Sequence, residues 1–253
     1  MNQRLQLALT RSIDDGGAPR DQSTPHRTND RQSIRSRQET RGGVVQNWMP
    51  LAIRSGTALS GLLLVLFLVV HLAGVIPALA APEAFEHYAV TLHSSPWLPV
   101  LELALATAGL AHIMLSLFKS AQNRQAGNRA KLNSRREQPL AAFASRNKLS
   151  AGLITLSFLI IHLQQLRLPR PAAGHERELL LAVLHQPFSL GLYVAACLAL
   201  GLHLLHGAEA AHRSLGLLTP MNSSKLRNGG RLLAIVIGGG FLLTTLGLAF
   251  GDF

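Results

Sequence analysis

The chain has 253 residues, 48% of them hydrophobic, and its 24 Lys and Arg outnumber its 13 Asp and Glu. In a soluble protein this basic excess would suggest a nucleic-acid partner, but the charges here crowd the first 54 residues and two loops between long apolar runs. That segregation is typical of membrane-helix flanks and argues against nucleic-acid binding. The single cysteine, Cys197, excludes a disulfide framework and a four-thiolate metal site.

The N-terminal segment, residues 1–46, is predicted to be a disordered basic tail. It is rich in Arg, Gln, Ser and Thr and has no long apolar run, so it cannot bury enough surface to fold alone. It also lacks the continuous apolar core and the small-residue cleavage site of a secretory signal. The remaining residues, 47–253, are predicted to form a membrane domain.

Five segments of this domain are apolar and close to the ~20 residues that a bilayer demands. They are spans one to five, at about 53–76, 97–118, 147–166, 187–212 and 231–250. After span one, Pro82–His93 is predicted to form a short interfacial helix, and Gly127–Arg136 is predicted to be a solvated loop. The predicted fold class is therefore an all-α membrane protein with five transmembrane helices.

Basic residues predict the orientation of the spans. Nine lie at or before Arg54, eight lie between spans two and three, and four lie between spans four and five. Only Arg167, Arg170 and Arg177 fall on the other side. Positive charge is retained on the cytoplasmic side, so the N-terminus is predicted to be cytoplasmic.

An internal repeat relates span one to span three. Gly61–Leu72 reads GLLLVLFLVVHL and Gly152–Leu163 reads GLITLSFLIIHL, and six of the twelve positions are identical. The alignment matches His71 with His162 at an offset of 91 residues. The first four spans are therefore predicted to form a bundle with an internal two-fold repeat.

The same offset of 91 residues relates His112 on span two to His203 on span four. From the helical rise, His71 and His162 lie about 9 and 8 Å from the outer ends of their spans, and His112 and His203 lie about 10 and 15 Å from the inner ends of theirs. Two histidine pairs are therefore predicted to face each other in the bundle, one at an outer level and one at an inner level.

Histidine is costly in hydrocarbon, and intramembrane polar groups are usually functional. Two imidazoles that face each other at one depth are the axial ligand set of a low-spin haem. Four histidines in two level pairs therefore favour two b-type haems over side chains that merely bond to the neighbouring backbone. On span four His206 is a rival ligand to His203, and the spacing of 41 residues within each half favours His203.

From Arg54 to about Phe250 the sequence resembles the five-helix dihaem cytochrome b subunit of succinate dehydrogenases and fumarate reductases. The resemblance rests on an ordered set of markers: Ser60-Gly61 through His71-Leu72, Ala84-Phe85 to Ser94-Ser95-Pro96, Gly152 through His162, and His203 followed by Gly207. It implies a multi-pass membrane anchor in a bacterial cytoplasmic membrane. The anchor itself does not act on succinate.

The resemblance implies that a flavoprotein subunit oxidises succinate and an iron–sulfur subunit relays the electrons to this chain. The chain would pass them through two haems b to a quinone, menaquinone or ubiquinone, in the lipid bilayer. His112 and His203 would hold the haem nearer the iron–sulfur subunit, and His71 and His162 the haem nearer the quinone. The complex could also form a higher oligomer. The sequence has no flavin motif or cysteine cluster of its own, so those cofactors belong to partners.

The quinone site is predicted in the outer connection between spans one and two. This stretch offers four polar side chains, and Glu86 and His87 are the residues predicted to flank a quinone headgroup. Ordinary interfacial roles for the four remain the alternative. They are Glu83, Glu86, His87 and His93.

Two other functions remain open at this point. One is the dihaem cytochrome b of another membrane oxidoreductase, such as a hydrogenase, a formate dehydrogenase or an ascorbate-linked reductase. The other is a haem-free transporter or scaffold whose repeat forms a substrate path. Glu102 and Glu209 lie near span ends and no charged pair is at mid-depth, which argues against a transporter.

Overall fold

The computed structural model describes residues 28–125 and 139–251, with side chains from residue 51 onward apart from those of residues 123 and 124. The chain divides into two compact units, Met1–Asn47 and Trp48–Phe253. Of the predicted disordered tail, residues 1–27 lie outside the described residues and only a helical backbone is described after them, so its disorder stays a prediction. The predicted loop Gly127–Arg136 also lies outside the described residues.

The described residues form helices and contain no β-strand. Two of the helices, α6 and α9, continue without a break into a π-helical turn, Leu163–Arg167 and Ile235–Gly239 respectively. In chain order the helices are α1 Thr28–Val75, α2 Pro77–Ala80, α3 Pro82–His93, α4 Leu98–Gln125, α5 Pro139–Arg146, α6 Lys148–His162, α7 Glu176–Leu184, α8 Pro187–Ser214, α9 Ser223–Ala234 and α10 Gly240–Phe250.

Five helical segments are long and apolar enough to cross a membrane, which confirms the five predicted spans and makes the chain an all-α, multi-pass membrane protein. Spans one to five are Leu51–Ala80, Leu98–Gln122, Lys148–Arg167, Pro187–Ser214 and Ser223–Phe250.

The fifth span begins at Ser223, well before the predicted start near residue 231. Its first part, α9, carries Lys225, Arg227 and Arg231, so a hydropathy pattern places the start of the span after the last of them. The helix itself continues through these residues, because long basic side chains can extend their charged ends towards the membrane surface.

The connections between spans are helical. The predicted helix Pro82–His93 is confirmed as α3, between spans one and two. The equivalent connection between spans three and four also contains a helix, α7, which the sequence did not predict. Helices α3 and α7 contact each other, so the two halves of the repeat meet at this end of the bundle.

A buried cluster joins these connections to the spans. It contains Phe85 from α3, Leu180 and Leu184 from α7, Tyr193 from α8 and Leu248 from α10. Burying large apolar side chains from four helices fixes the connections against the bundle. The cluster also holds Tyr193, which belongs to the site described next.

Spans four and five approach closely through glycine. A Cβ at Gly238 would lie 3.0 Å from the Cα of Gly201 and 3.2 Å from the carbonyl oxygen of Cys197, both backbone atoms that cannot move aside. Small residues allow such backbone contact in membrane bundles, where packing rather than water expulsion holds helices together. Span five is therefore packed tightly against the helix that carries His203.

Candidate functional site

The outer histidine pair predicted from the repeat comes together in the structure. The ring centroids of His71 on span one and His162 on span three are 6.0 Å apart, with ring planes at 76°. An aromatic ring one turn earlier lies beside each: Phe67 stacks on His71 at 5.3 Å and 10°, and Phe158 lies 5.3 Å from His162 at 32°. Because 67 and 158 are also 91 apart, the two-fold repeat includes these neighbours.

The inner pair has nearly the same geometry. The ring centroids of His112 and His203 are 6.1 Å apart, with planes at 77°. The Nδ1 of His112 lies 3.2 Å from the carbonyl oxygen of Thr57 and 3.4 Å from the hydroxyl of Ser60. Since a carbonyl oxygen only accepts, Nδ1–H donates to it and Nε2 keeps its lone pair. The ring that faces His112 is thus the one that the 41-residue spacing favours, and His206 lies three residues further along α8.

The repeat also places equivalent backbone beside the two inner histidines. Thr57 and Lys148 are 91 residues apart, and the backbone of Lys148 lies beside the His203 ring as that of Thr57 lies beside His112. The two contacts differ in quality. The Nδ1 of His203 is buried and has no well-formed hydrogen bond among the described residues, so this ring is the less firmly held of the two.

A glycine lies against each inner histidine. A Cβ at Gly61 would be 3.0 Å from Cε1 of His112 and 3.2 Å from its Nδ1. A Cβ at Gly152, 91 residues later, would be 3.4 Å from Cε1 of His203 and 3.5 Å from its Nδ1. Both positions let an imidazole approach the neighbouring helix backbone, and only the first is too tight for any side chain.

Tyr193 is a residue that sequence reasoning missed. Its hydroxyl lies 3.1 Å from Nδ1 of His162, and its ring is only 5% exposed. Phe158 packs edge-on against it with centroids 4.8 Å apart. Tyr193 and His162 are 31 residues apart, on different spans, so no local pattern points to the contact.

An ion pair links spans two and three near their outer ends. The Nε and Nη2 of Arg167 donate to the two carboxylate oxygens of Glu102 at 2.6 and 3.0 Å. The π-helical turn Leu163–Arg167 ends span three at this arginine. Two opposite charges at adjacent span ends were the only sequence signal for the pair, which two-point hydrogen bonding holds in a fixed geometry.

The two predicted quinone-site residues have different surroundings. The carboxylate of Glu86 accepts the backbone N–H groups of Glu176 at 3.1 Å and Arg177 at 2.8 Å, so it binds the N-terminal end of α7. The side chain of His87 is exposed on α3. Neither contact involves a histidine of the two pairs, and the quinone role of both residues stays a prediction.

Burial raises the pKa of the Glu86 carboxyl, and a hydrogen bond from the side chain of Glu176 adds to the increase. The pKa of Glu176 is lowered: burial alone would raise it, but hydrogen bonds from Glu86 and from backbone N–H groups outweigh that effect. His93 also contacts Glu176, at 3.4 Å. The pair therefore shares a proton most easily on Glu86.

A cleft of about 250 Å³ lies beside this pair. Its polar lining comes from His93, Ser94, Arg170 and Glu176, and the rest of the lining is apolar or backbone. Arg170 has a φ of 35°, in the left-handed region that is rare for a residue other than glycine. The cleft is thus a polar opening between α3 and the segment that follows span three.

The two pairs have the spacing that one shared metal requires. Two imidazoles on opposite sides of a metal, each bonded at about 2 Å, have ring centroids roughly 6 Å apart. The contact of His112 with a carbonyl supplies the second interaction that orients a ligating imidazole. Within the described residues no group of three or more His, Cys, Asp or Glu could hold a metal ion, and each pair here has two members. No family model, curated protein or solved structure matches the chain.

Proposed function

We propose that this chain is a dihaem cytochrome b that anchors a succinate:quinone oxidoreductase in a membrane. The observation that carries the dihaem part is the pair of facing histidine sets, with centroids 6.0 and 6.1 Å apart, on spans related by a 91-residue repeat. A porphyrin iron with two axial imidazoles needs that arrangement, and the repeat supplies it twice at two depths.

Each pair would hold one haem b. His71 and His162 are the axial ligands at the outer level, and His112 and His203 are those at the inner level. When bound, each haem supplies a one-electron carrier inside the bilayer. The protein's part is to orient the imidazoles, through the Thr57 carbonyl at the inner level, and to exclude water with the surrounding aliphatic and aromatic side chains.

The assignment to succinate chemistry rests on the sequence resemblance. The flavoprotein and iron–sulfur subunits that it implies would dock on the side of the inner pair, and the quinone would bind on the side of the outer pair. A cytoplasmic N-terminus, as the basic residues predict, puts the docking face in the cytoplasm. The quinone contacts predicted at Glu86 and His87 belong to this proposal.

The first test is a reduced-minus-oxidised absorption spectrum of the purified chain with haem quantified per chain. We expect the bands of low-spin b haem and two haems per chain. A chain that contains no haem after expression with adequate haem supply would refute the proposal.

Single histidine variants then assign the ligands. His71→Ala or His162→Ala should lose the outer haem, and His112→Ala or His203→Ala the inner one, because one remaining ligand leaves the iron five-coordinate. His206→Ala is the matched control, on the same helix one turn further, and it should keep both haems. Loss of a haem in the control would move the ligand on span four.

Isolation of the complex from its native membrane separates the succinate enzyme from other dihaem enzymes. We expect a flavoprotein and an iron–sulfur protein to co-purify and succinate to reduce the haems. Co-purified hydrogenase or formate dehydrogenase subunits would keep the dihaem assignment and overturn the succinate one.

A further inference from the structure

The outer pair has a polar contact that the inner pair lacks. At the inner level, a backbone carbonyl, that of Thr57, accepts from Nδ1 of His112. At the outer level, a side-chain hydroxyl, that of Tyr193, lies 3.1 Å from Nδ1 of His162. The repeat does not supply a second tyrosine, because the residue 91 positions before Tyr193 is Glu102, which pairs with Arg167. The phenol is therefore specific to the outer level and to one of its two histidines.

Tyr193 is held rigidly. It is 5% exposed, belongs to the buried cluster with Leu184 and Leu248, and packs edge-on against Phe158. A buried phenol needs a hydrogen-bond partner, and its recorded partner is the imidazole of His162. The oxygen position is thus set by the packing of three helices and not by the histidine.

We propose that Tyr193 is a positioning residue for His162, whose Nδ1–H donates to its hydroxyl oxygen. This contact fixes the tautomer in which Nε2 carries the lone pair, and it fixes the rotation of the ring about its own axis. A neutral phenol accepts more weakly than a carboxylate, so the imidazole stays neutral while becoming a somewhat stronger donor to iron. The inference rests on the proposed function, in that the consequence appears at the outer haem.

Removing the hydroxyl should act on the outer haem alone. In Tyr193→Phe the Nδ1–H of His162 loses its acceptor, the ring becomes a poorer electron donor, and the ferrous state is favoured. We expect the midpoint potential of the outer haem to shift to a more positive value while that of the inner haem is unchanged. We also expect the EPR spectrum of the ferric outer haem to change, because the angle between the two ligand planes is no longer fixed.

The chain offers a matched control in Tyr88, its only other tyrosine, which is 40% exposed and lies on α3. Tyr88→Phe removes the same hydroxyl at the same end of the bundle, and it should leave both potentials and the EPR spectrum as in the wild type. Phenylalanine keeps the packing of Tyr193 against Phe158, so the variant should fold with both haems bound.

The measurements are haem content, a potentiometric titration and low-temperature EPR on the purified full-length chain with its co-purifying subunits. Two bound haems and an unshifted outer potential in Tyr193→Phe would overturn the inference and leave the dihaem assignment intact. A shift of the inner potential alone would overturn it as well. If Tyr193→Phe loses the outer haem, Tyr193→His, which restores a polar atom, should recover the haem, and failure to do so would assign Tyr193 to packing. Absence of haem in the wild type would refute the proposed function itself.

Discussion

The two glycines beside the inner histidines give a prediction that compares the halves of the repeat directly. An alanine Cβ at Gly61 would lie 3.0 Å from Cε1 of His112, whereas carbon atoms pack best at about 3.5–4.0 Å. The ring would therefore have to withdraw by roughly 0.5 Å, and its 3.2 Å contact with the Thr57 carbonyl would change with it. At Gly152 the equivalent distance is 3.4 Å, close to an ordinary contact.

Overpacking of this kind costs about 1–3 kcal/mol, which corresponds to roughly 5- to 150-fold weaker binding of the inner haem. The change from glycine to alanine also favours the helix by about 1 kcal/mol, but it does so at both positions and cancels in the comparison. We expect Gly61→Ala to lose the inner haem at least several times faster than Gly152→Ala. The outer haem should be retained equally in both variants.

The assay is the rate at which the purified chain gives up haem to an excess of a haem-scavenging apo-globin, with the inner and outer haems distinguished by their potentials. Equal loss rates in the two variants would refute the steric argument, and so would a faster loss in Gly152→Ala. Thermal stability of the two variants, measured alongside, should differ by much less than their haem-loss rates, because the strain is confined to the imidazole.

Three further predictions concern the rest of the membrane domain. Because the pKa of Glu86 is raised in the folded chain, the stability that its protonated form contributes is present at low pH and is lost as pH rises through that pKa. Glu86→Gln should therefore flatten the alkaline side of a plot of melting temperature against pH, and an unchanged profile would contradict the reasoning. For the ion pair of Glu102 and Arg167, a double-mutant cycle with glutamine at each position should give a coupling of about 1 kcal/mol, at the upper end for partly exposed pairs; a coupling near zero would mean that the pair is not formed. Gly238→Ala should lower the melting temperature by the equivalent of about 1–3 kcal/mol, because its Cβ would meet backbone atoms of span four, whereas Gly239→Ala, whose Cβ meets nothing within 4 Å, should be neutral.

Much of this architecture is determined by the sequence alone. Spans in a bilayer must be long and apolar, and every backbone polar group must be satisfied within the helix, so hydropathy identifies five spans without any tertiary information. The repeat is equally local, since it needs only two similar segments. It predicts that His71 faces His162 and that His112 faces His203, because equivalent positions on equivalent helices reach equivalent depths.

The contacts that distinguish the two levels were decided by the tertiary structure. Tyr193 meets His162 across 31 residues, and Glu86 reaches the start of α7 across about 90, and neither pair shares a periodic pattern that a sequence displays. A hydrogen bond between side chains on different helices depends on helix rotation and on rotamers, which packing fixes only when all the helices are in place. The fifth span shows the same limit: its true start at Ser223 includes basic residues that hydropathy assigns to a loop, and only the continuous helix reveals them as part of the span.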